Sequence, residues 1–430
     1  MLLKKLMETD FQYFLLCVSG LALLFSAIFV LLIVKKNPFH LSVPFLILHL
    51  IFYYYPFFQY ILGPERYYSI FVDYNVWPSN HDVALLLCFS AVNFLFMSFL
   101  FFIFSSKQAG WRPQQYRISS VKTKLILILS IIFLLLYQAY ASFDSQSLLY
   151  LFSPARKELE LSGAQRALLS IFPVLLAVIM FNERKRIEHF IPIFIVILLI
   201  IFVLGQRRQM IMILLFCIAF NFREYIYISR RRATYIFTLA AALAVAIVPL
   251  AWYLRTYSTR LLNERWQGAN LLEVRSPLEL IFGSSTKGFE SLFLQSEYLA
   301  NGAISTLHSS KFAILSIVPR FIFDEKPTSI PAAIALHRGT VGSTSTFFMS
   351  EVITDYYLAV PFFSIMFCFM YSQLDKLRTR GLTGFVFYLL LWSNSVQLFK
   401  NGWASSIPFY VLSFLLIMIF FYRSRSDTKT

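Results

Sequence analysis

FQYFLLCVSGLALLFSAIFVLLIV, residues Phe11 to Val34, carries no charged side chain. As a helix its 24 residues extend about 36 Å, more than the roughly 30 Å thickness of a hydrocarbon core. Inside lipid every backbone N–H and C=O needs a partner within the protein, so only helices and closed barrels cross it. The run is nearly continuous in apolar residues and shows no period-2 alternation, which selects the helix.

The same pattern recurs outward along the chain. Of the 430 residues, 58% are hydrophobic and 14% charged, with 48 Phe and 24 Tyr, a composition that excludes an ordinary soluble enzyme. The expected fold is all-α: a polytopic integral membrane protein of about eleven transmembrane helices (ten to twelve). They fall near 11–34, 41–62, 83–104, 124–142, 167–182, 190–204, 210–228, 233–254, 358–373, 384–399 and 403–422. This divides the chain into helices one to eight (1–254), one long polar interval (255–357), and the last helices with a tail (358–430). The first run is too long for a secretory leader and lacks a small-residue cleavage site, so it reads as a true span.

Charge then assigns sides. The net charge of +16 invites a nucleic-acid partner, but the surplus sits in short loops beside spans, where it obeys the positive-inside rule. Lys35-Lys36, Lys107 to Lys122, Arg184-Lys185-Arg186, Arg230-Arg231-Arg232, Lys376 to Arg380 and the tail belong to the cytoplasm, with Lys4 and Lys5 out of step. The alternate loops, including 255–357, face outward. Cys17, Cys88, Cys217 and Cys368 all lie in apolar runs without CxxC spacing and read as small buried hydrophobes.

The outward interval carries the chemistry. It holds nine Lys/Arg and nine Asp/Glu. Leu278 to Leu299 has the spacing of an amphipathic helix lying along a membrane surface, and Lys311 to Phe323 is apolar but too short to cross. Pro319 and Pro327 bracket a rigid turn, PRFIFDEKP, and a Gly/Ser/Thr run follows from Gly339 to Thr346. From Ser350 a helix sets Glu351 and Asp355 four residues apart on one face. Arginines gather on the unfavoured side: Arg207 and Arg208 in the GQRRQ turn, Arg255 and Arg260 after span eight, then Arg320 and Arg338. A planar guanidinium fork suits phosphate oxygens, so their convergence fits a lipid phosphate or pyrophosphate; snorkelling to headgroups is the bland alternative. His308 and His337 lie in the same interval as candidates for proton transfer. No metal-ligand spacing, DxD pair, Walker pattern or GxGxxG occurs, so neither metal nor nucleotide is expected.

In these motifs the chain resembles the Wzy-type oligosaccharide repeat-unit polymerases of bacteria. The resemblance rests on Gly205-Gln-Arg207-Arg208 ending a middle span, the PR…KP turn from Ile317 to Pro327, and the hydroxyl-rich run into an acidic helix, Ser343 to Asp355. It covers roughly Gly205 to the C-terminus, with Phe323 at the family's aromatic position and Asp355-Tyr-Tyr where Asn-Phe-Gly is usual. It implies a GT-C-like helical fold in the bacterial inner membrane, multi-pass, with the active face periplasmic. It also implies a metal- and nucleotide-independent glycosyltransferase without cofactor. A growing glycan on undecaprenyl pyrophosphate is transferred to a lipid-linked repeat unit, in O-antigen, common-antigen or capsule-type synthesis. Expected partners are those lipid-linked oligosaccharides, the bilayer, a chain-length regulator and a flippase, with no nucleic acid. Glu351 and His337 are the candidate bases; Arg207, Arg208, Arg255, Arg260, Arg320, Lys326 and Arg338 are the candidate pyrophosphate and glycan ligands. Two alternatives stand beside it: an O-antigen ligase of the same architecture that uses lipid A core as acceptor, and, from another class, a lipid-linked oligosaccharide transporter, which would usually show internal repeats that this chain lacks.

Overall fold

The structure is a computed structural model. It describes residues 2–37, 39–54, 80–105, 287–302, 304–317, 328–330, 333, 347–379 and 382–421. Every element among them is helical: α1 (Leu2–Lys36), α2 (Ser42–Leu48) running into a π-helical turn (His49–Tyr54), α3 (Asn80–Phe104), α4 (Lys287–Ala300) and α5 (His308–Ile317). They are followed by α6 (Phe348–Tyr356), α7 (Val360–Asp375), α8 (Leu382–Ser393) and α9 (Ser395–Phe421). Among the described residues three stretches, Asp10–Lys36, Asp82–Phe104 and Phe348–Asp375, have the length and apolar composition to cross a membrane. The expected spans between 124 and 254 lie outside the described residues. The chain forms two units, one of 1–112, 285–380 and 394–415, the other of 113–284, 381–393 and 416–430. In the second unit, α8 is a regular apolar helix whose Phe385 and Tyr388 rings stack at 6.4 Å.

In the first unit the apolar residues point the wrong way for a water-soluble bundle. Along α1 the buried stripe is Leu15, Ser19, Ala22, Ser26, Val30 and Ile33, while Leu21, Leu24, Phe25, Ile28 and Leu31 (67% exposed) face out. The spacing of three and four is that of one helix face. Both buried serines bond back to their own helix, to the carbonyls of Leu15 and Ala22, at 2.7 Å. Helix α3 repeats this, with Ser90, Asn93 and Ser98 buried and Leu85, Phe89, Val92, Phe99 and Ile103 outside. In α7 Ser364 and Ser372 are buried while Phe362 (73% exposed), Ile365 and Phe369 are outside. A solvent of lipid tails is the physical reason: large apolar side chains are content in it, and small polar ones let helices approach.

Helix directions follow from the contacts. Ser19 reaches Cys88, Phe29 packs on Phe99 and Phe102, and the Lys36 ammonium donates to the Phe102 carbonyl, so α1 and α3 run parallel. Phe89 meets Tyr357, Ser364 donates to Asn93 Oδ1 at 3.0 Å, and Phe101 meets Tyr371, so α7 is parallel to both. Phe45 meets Phe101, His49 stacks on Phe94 and Tyr54 bonds Ser90, so α2 with its π-helical turn runs back between them. Lys35, Lys36 and Lys376 therefore share one end of the unit, where the Leu41 N–H is also bound by the Asp375 carboxylate at 3.0 Å. Charge alone groups the same loops.

Phe348–Asp375 is not one straight rod. The Phe348 ring lies 4.7 Å from that of Phe367, and Tyr356 stacks on Phe363 at 4.3 Å. Nineteen residues of unbroken helix would hold Phe348 and Phe367 about 28 Å apart. The chain instead turns at Tyr357–Ala359, where Tyr357 has φ 41°, and α6 and α7 form a helical hairpin. Helix α6 thus begins deep in the unit. Its first residue touches Phe367, which stands about 12 Å along α7 from the cationic end.

Against α6 lies α4, whose Ser291, Leu292, Phe293, Leu294, Gln295 and Tyr298 are all buried. The amphipathic pattern from 278 to 299 predicts a helix on the membrane surface. In the structure its described part is packed inside instead, because its polar side chains bond to α6. Ser291 Oγ meets Ser350 Oγ at 2.8 Å, and Thr354 Oγ1 donates to Gln295 Oε1 at 3.3 Å.

Candidate functional site: a buried carboxylate at a broken helix

Helix α9 is interrupted at the junction of two apolar runs, between the expected spans 384–399 and 403–422. Gly402 has φ 81° and ψ 173°, which no helix contains. Such a glycine ends Ser395–Asn401 and starts a second helical segment at Trp403. The first backbone N–H groups of any helix have no partner within it, and they carry the positive end of its dipole. At Gly402 those orphan donors open into the protein interior.

Glu351 fills the gap. It sits one turn into α6 and is 2% exposed. Its Oε2 accepts the Ala404 N–H at 3.3 Å, and the Trp403 N–H also faces it. A Cβ built on Gly402 would overlap the Glu351 carboxylate. Bare backbone is therefore what lets the carboxylate reach the broken end. Among the described residues, the other groups acting on Glu351 are the Ser309 hydroxyl and the charge of Asp355, and none of the four is a cation. Burying an ion is costly unless it is hydrogen-bonded and paired. Among the described residues Glu351 has the hydrogen bonds without a paired cation.

Asp355, one turn on, is satisfied differently. Oδ1 accepts the Ser309 N–H at 2.9 Å; Oδ2 accepts the Ser310 N–H at 2.9 Å and the Ser310 hydroxyl at 3.0 Å. It caps the start of α5 from another helix, using the donors an α-helix leaves open. The Ser309 hydroxyl is buried without a well-formed hydrogen bond and faces both carboxylates. The two acids that the sequence sets on one face thus part roles: Asp355 ties down α5, and Glu351 holds the broken helix.

The rest of α6 is anchored by neutral groups. Ser350 Oγ links Tyr53 OH at 3.1 Å with Ser291 Oγ, and Asn93 Nδ2 approaches Met349 Sδ at 3.1 Å. The Phe347 N–H donates to the Lys400 carbonyl at 3.0 Å, so α6 and the first segment of α9 meet at their ends. Phe347 and Tyr357, on either side of α6, both have positive φ, 53° and 41°. Side-chain-bearing residues adopt such angles at a cost of order 1–3 kcal/mol, and only where the surroundings impose them. His49 is fully buried, with Nδ1 bonded to the Phe45 carbonyl at 2.8 Å and its ring against Phe94 and Phe399. His308 meets the Thr328 carbonyl at 2.7 Å through Nε2.

Of the residues singled out from sequence, Glu351 is described and buried at this junction. Arg207, Arg208, Arg255, Arg260, Arg320, Lys326, His337 and Arg338 lie outside the described residues. Sequence reasoning passed over Gly402, Ala404 and Ser309. The signal for Gly402 is the Asn401-Gly402 dipeptide between two apolar runs, a turn marker. That it turns onto a carboxylate 51 residues earlier is visible only in the fold.

Fold and site define a helical membrane protein with a carboxylate seated inside its bundle. Compared with protein-family models, with curated proteins and with solved structures, the chain gives no match.

Proposed function

We propose that the protein is a polymerase joining oligosaccharide repeat units carried on undecaprenyl pyrophosphate, at the periplasmic face of the bacterial inner membrane. The observation that carries this reading is Glu351: a carboxylate buried at a broken helix and held there by backbone donors. An ionisable side chain at membrane depth is expensive and marks function by default. The three sequence motifs add the class of substrate. An acceptor sugar hydroxyl attacks the anomeric carbon of the donor glycan, and Glu351 takes the hydroxyl proton. The new glycosidic bond forms as the carbon–oxygen bond to pyrophosphate breaks, and the electron pair leaves with the lipid pyrophosphate. Arg207, Arg208, Arg255 and Arg320 neutralise that charge, Arg260, Lys326 and Arg338 bind the remaining phosphate and glycan, and His337 is the second candidate base.

The test is the polysaccharide ladder of a deletion strain complemented with wild type or Glu351→Gln. Single repeat units on core, without higher bands, are expected for both the deletion and the variant. Loss of all glycan from core, with long polymer kept on carrier lipid, would make the protein a ligase. One observation favours a transporter as second reading: broken helices with half-helix N-termini at mid-depth are how many transporters hold their ligands. Lipid-linked units retained in the cytoplasmic leaflet of the deletion strain would establish that instead.

A further inference from the structure

We infer that Gly402 is a positioning residue for Glu351: its bare backbone makes the space the carboxylate occupies and turns the Trp403 and Ala404 N–H groups onto it. This rests on Glu351 being the working carboxylate. Two independent features carry it. The first is space: a Cβ on Gly402 would overlap the carboxylate, with Cδ of Glu351 at 2.5 Å and Oε1 at 3.0 Å. The second is conformation. The positive φ of 81° stops one helical segment and starts the next at the depth where Glu351 lies. A glycine needed merely for the break would be served by any open surroundings. Gly302, with φ 70°, has nothing within 4 Å of an added Cβ. At Gly402 the neighbour is the carboxylate itself.

The geometry also says what happens without the glycine. Alanine at 402 drives the Glu351 carboxylate off the Ala404 N–H by the radius of a methyl group. Displacements near 1 Å in a reacting group cost about 10²-fold in rate. Shortening the acid by one methylene, Glu351→Asp, withdraws it from the added methyl and gives the alanine room. The two changes are therefore expected to compensate, as a bulk-for-length exchange.

The experiment compares full-length wild type, E351Q, E351D, G402A and E351D/G402A in the deletion strain, reading polymer per unit of membrane-inserted protein. Expected are near-complete loss in E351Q, loss of about 10²-fold in G402A, and at least a tenfold recovery from G402A in E351D/G402A. Full activity in E351Q overturns the catalytic reading whatever position 402 does. Loss in E351Q with a wild-type G402A overturns the positioning role alone, as does a G402A defect that E351D leaves unrelieved. If G402A fails to accumulate in the membrane, E351A/G402A decides. Recovered accumulation assigns the defect to the collision with the carboxylate, and continued absence overturns the inference.

Discussion

The parallel helices α1, α3 and α7 and the α6–α9 junction are built from the same apolar composition and obey opposite rules. The three helices have regular backbones, present bulky apolar side chains outward, and along their lengths bury serines and an asparagine, with the Asp375 carboxylate at the cationic end. At the junction the backbone is broken at Gly402 and strained at Phe347 and Tyr357, and two carboxylates lie inside. Where a chain has only to span lipid, each helix satisfies its own backbone. Where it seats a carboxyl group inside, it opens a helix and turns the freed N–H groups onto that group. The difference separates scaffold from site without reference to any relative.

The comparison breaks first at Asp355. Asp355→Ala removes the acceptor for the Ser309 and Ser310 N–H groups and the Ser310 hydroxyl. Each buried donor left unmet costs roughly 1–3 kcal/mol. A marked drop in thermal stability of the detergent-solubilised protein and in membrane abundance is expected. An unchanged melting curve would mean that α5 is held by something else. A smaller loss is expected from putting charge on the scaffold's outer face. Leu24→Arg sets an arginine near the middle of α1, at a cost of about 2.5–3.5 kcal/mol on insertion scales. A glycosylation-based insertion assay reads it, and normal insertion would show that this face meets protein rather than lipid.

The same contrast is sharpened from inside. Ser19→Leu enlarges a fully buried position against α3, and overpacking there costs about 1–3 kcal/mol, read as a lowered melting temperature. A chain in which large residues belong inside would gain from that change. The smallest effect is at Tyr357, which is 61% exposed with φ 41°. Tyr357→Gly relieves backbone strain of the order of 1 kcal/mol, so its melting temperature is expected to equal or slightly exceed wild type. A clear fall would show that the side chain, and not the turn, matters.

Span edges near 11–34, 83–104 and 358–373 are legible because each is an apolar run bounded by charge or by turn residues; α3 and α7 follow theirs closely, whereas α1 starts earlier, at Leu2, and ends at Lys36. The helix carrying Glu351 and Asp355 is legible too, from spacing alone. The sequence misleads over the α4 segment: amphipathic spacing cannot tell a helix facing headgroups from one whose polar side chains bond Ser350 and Thr354. Nor does it divide the work of two acids on one face. Asp355 is fixed by donors 45 and 46 residues away, and Glu351 by an N–H 53 residues on.

By itself, then, the sequence determined the solvent. Runs of apolar residues longer than a bilayer is thick have no other stable home, and loop charge groups their ends. Tertiary structure alone decided that Phe348–Asp375 folds into a hairpin, that Gly402 opens α9, and that the opening receives Glu351. The physical reason is range. Hydropathy and periodicity are sums over neighbours in the chain, whereas a buried charge is set by whichever donors the fold brings within about 3 Å of it.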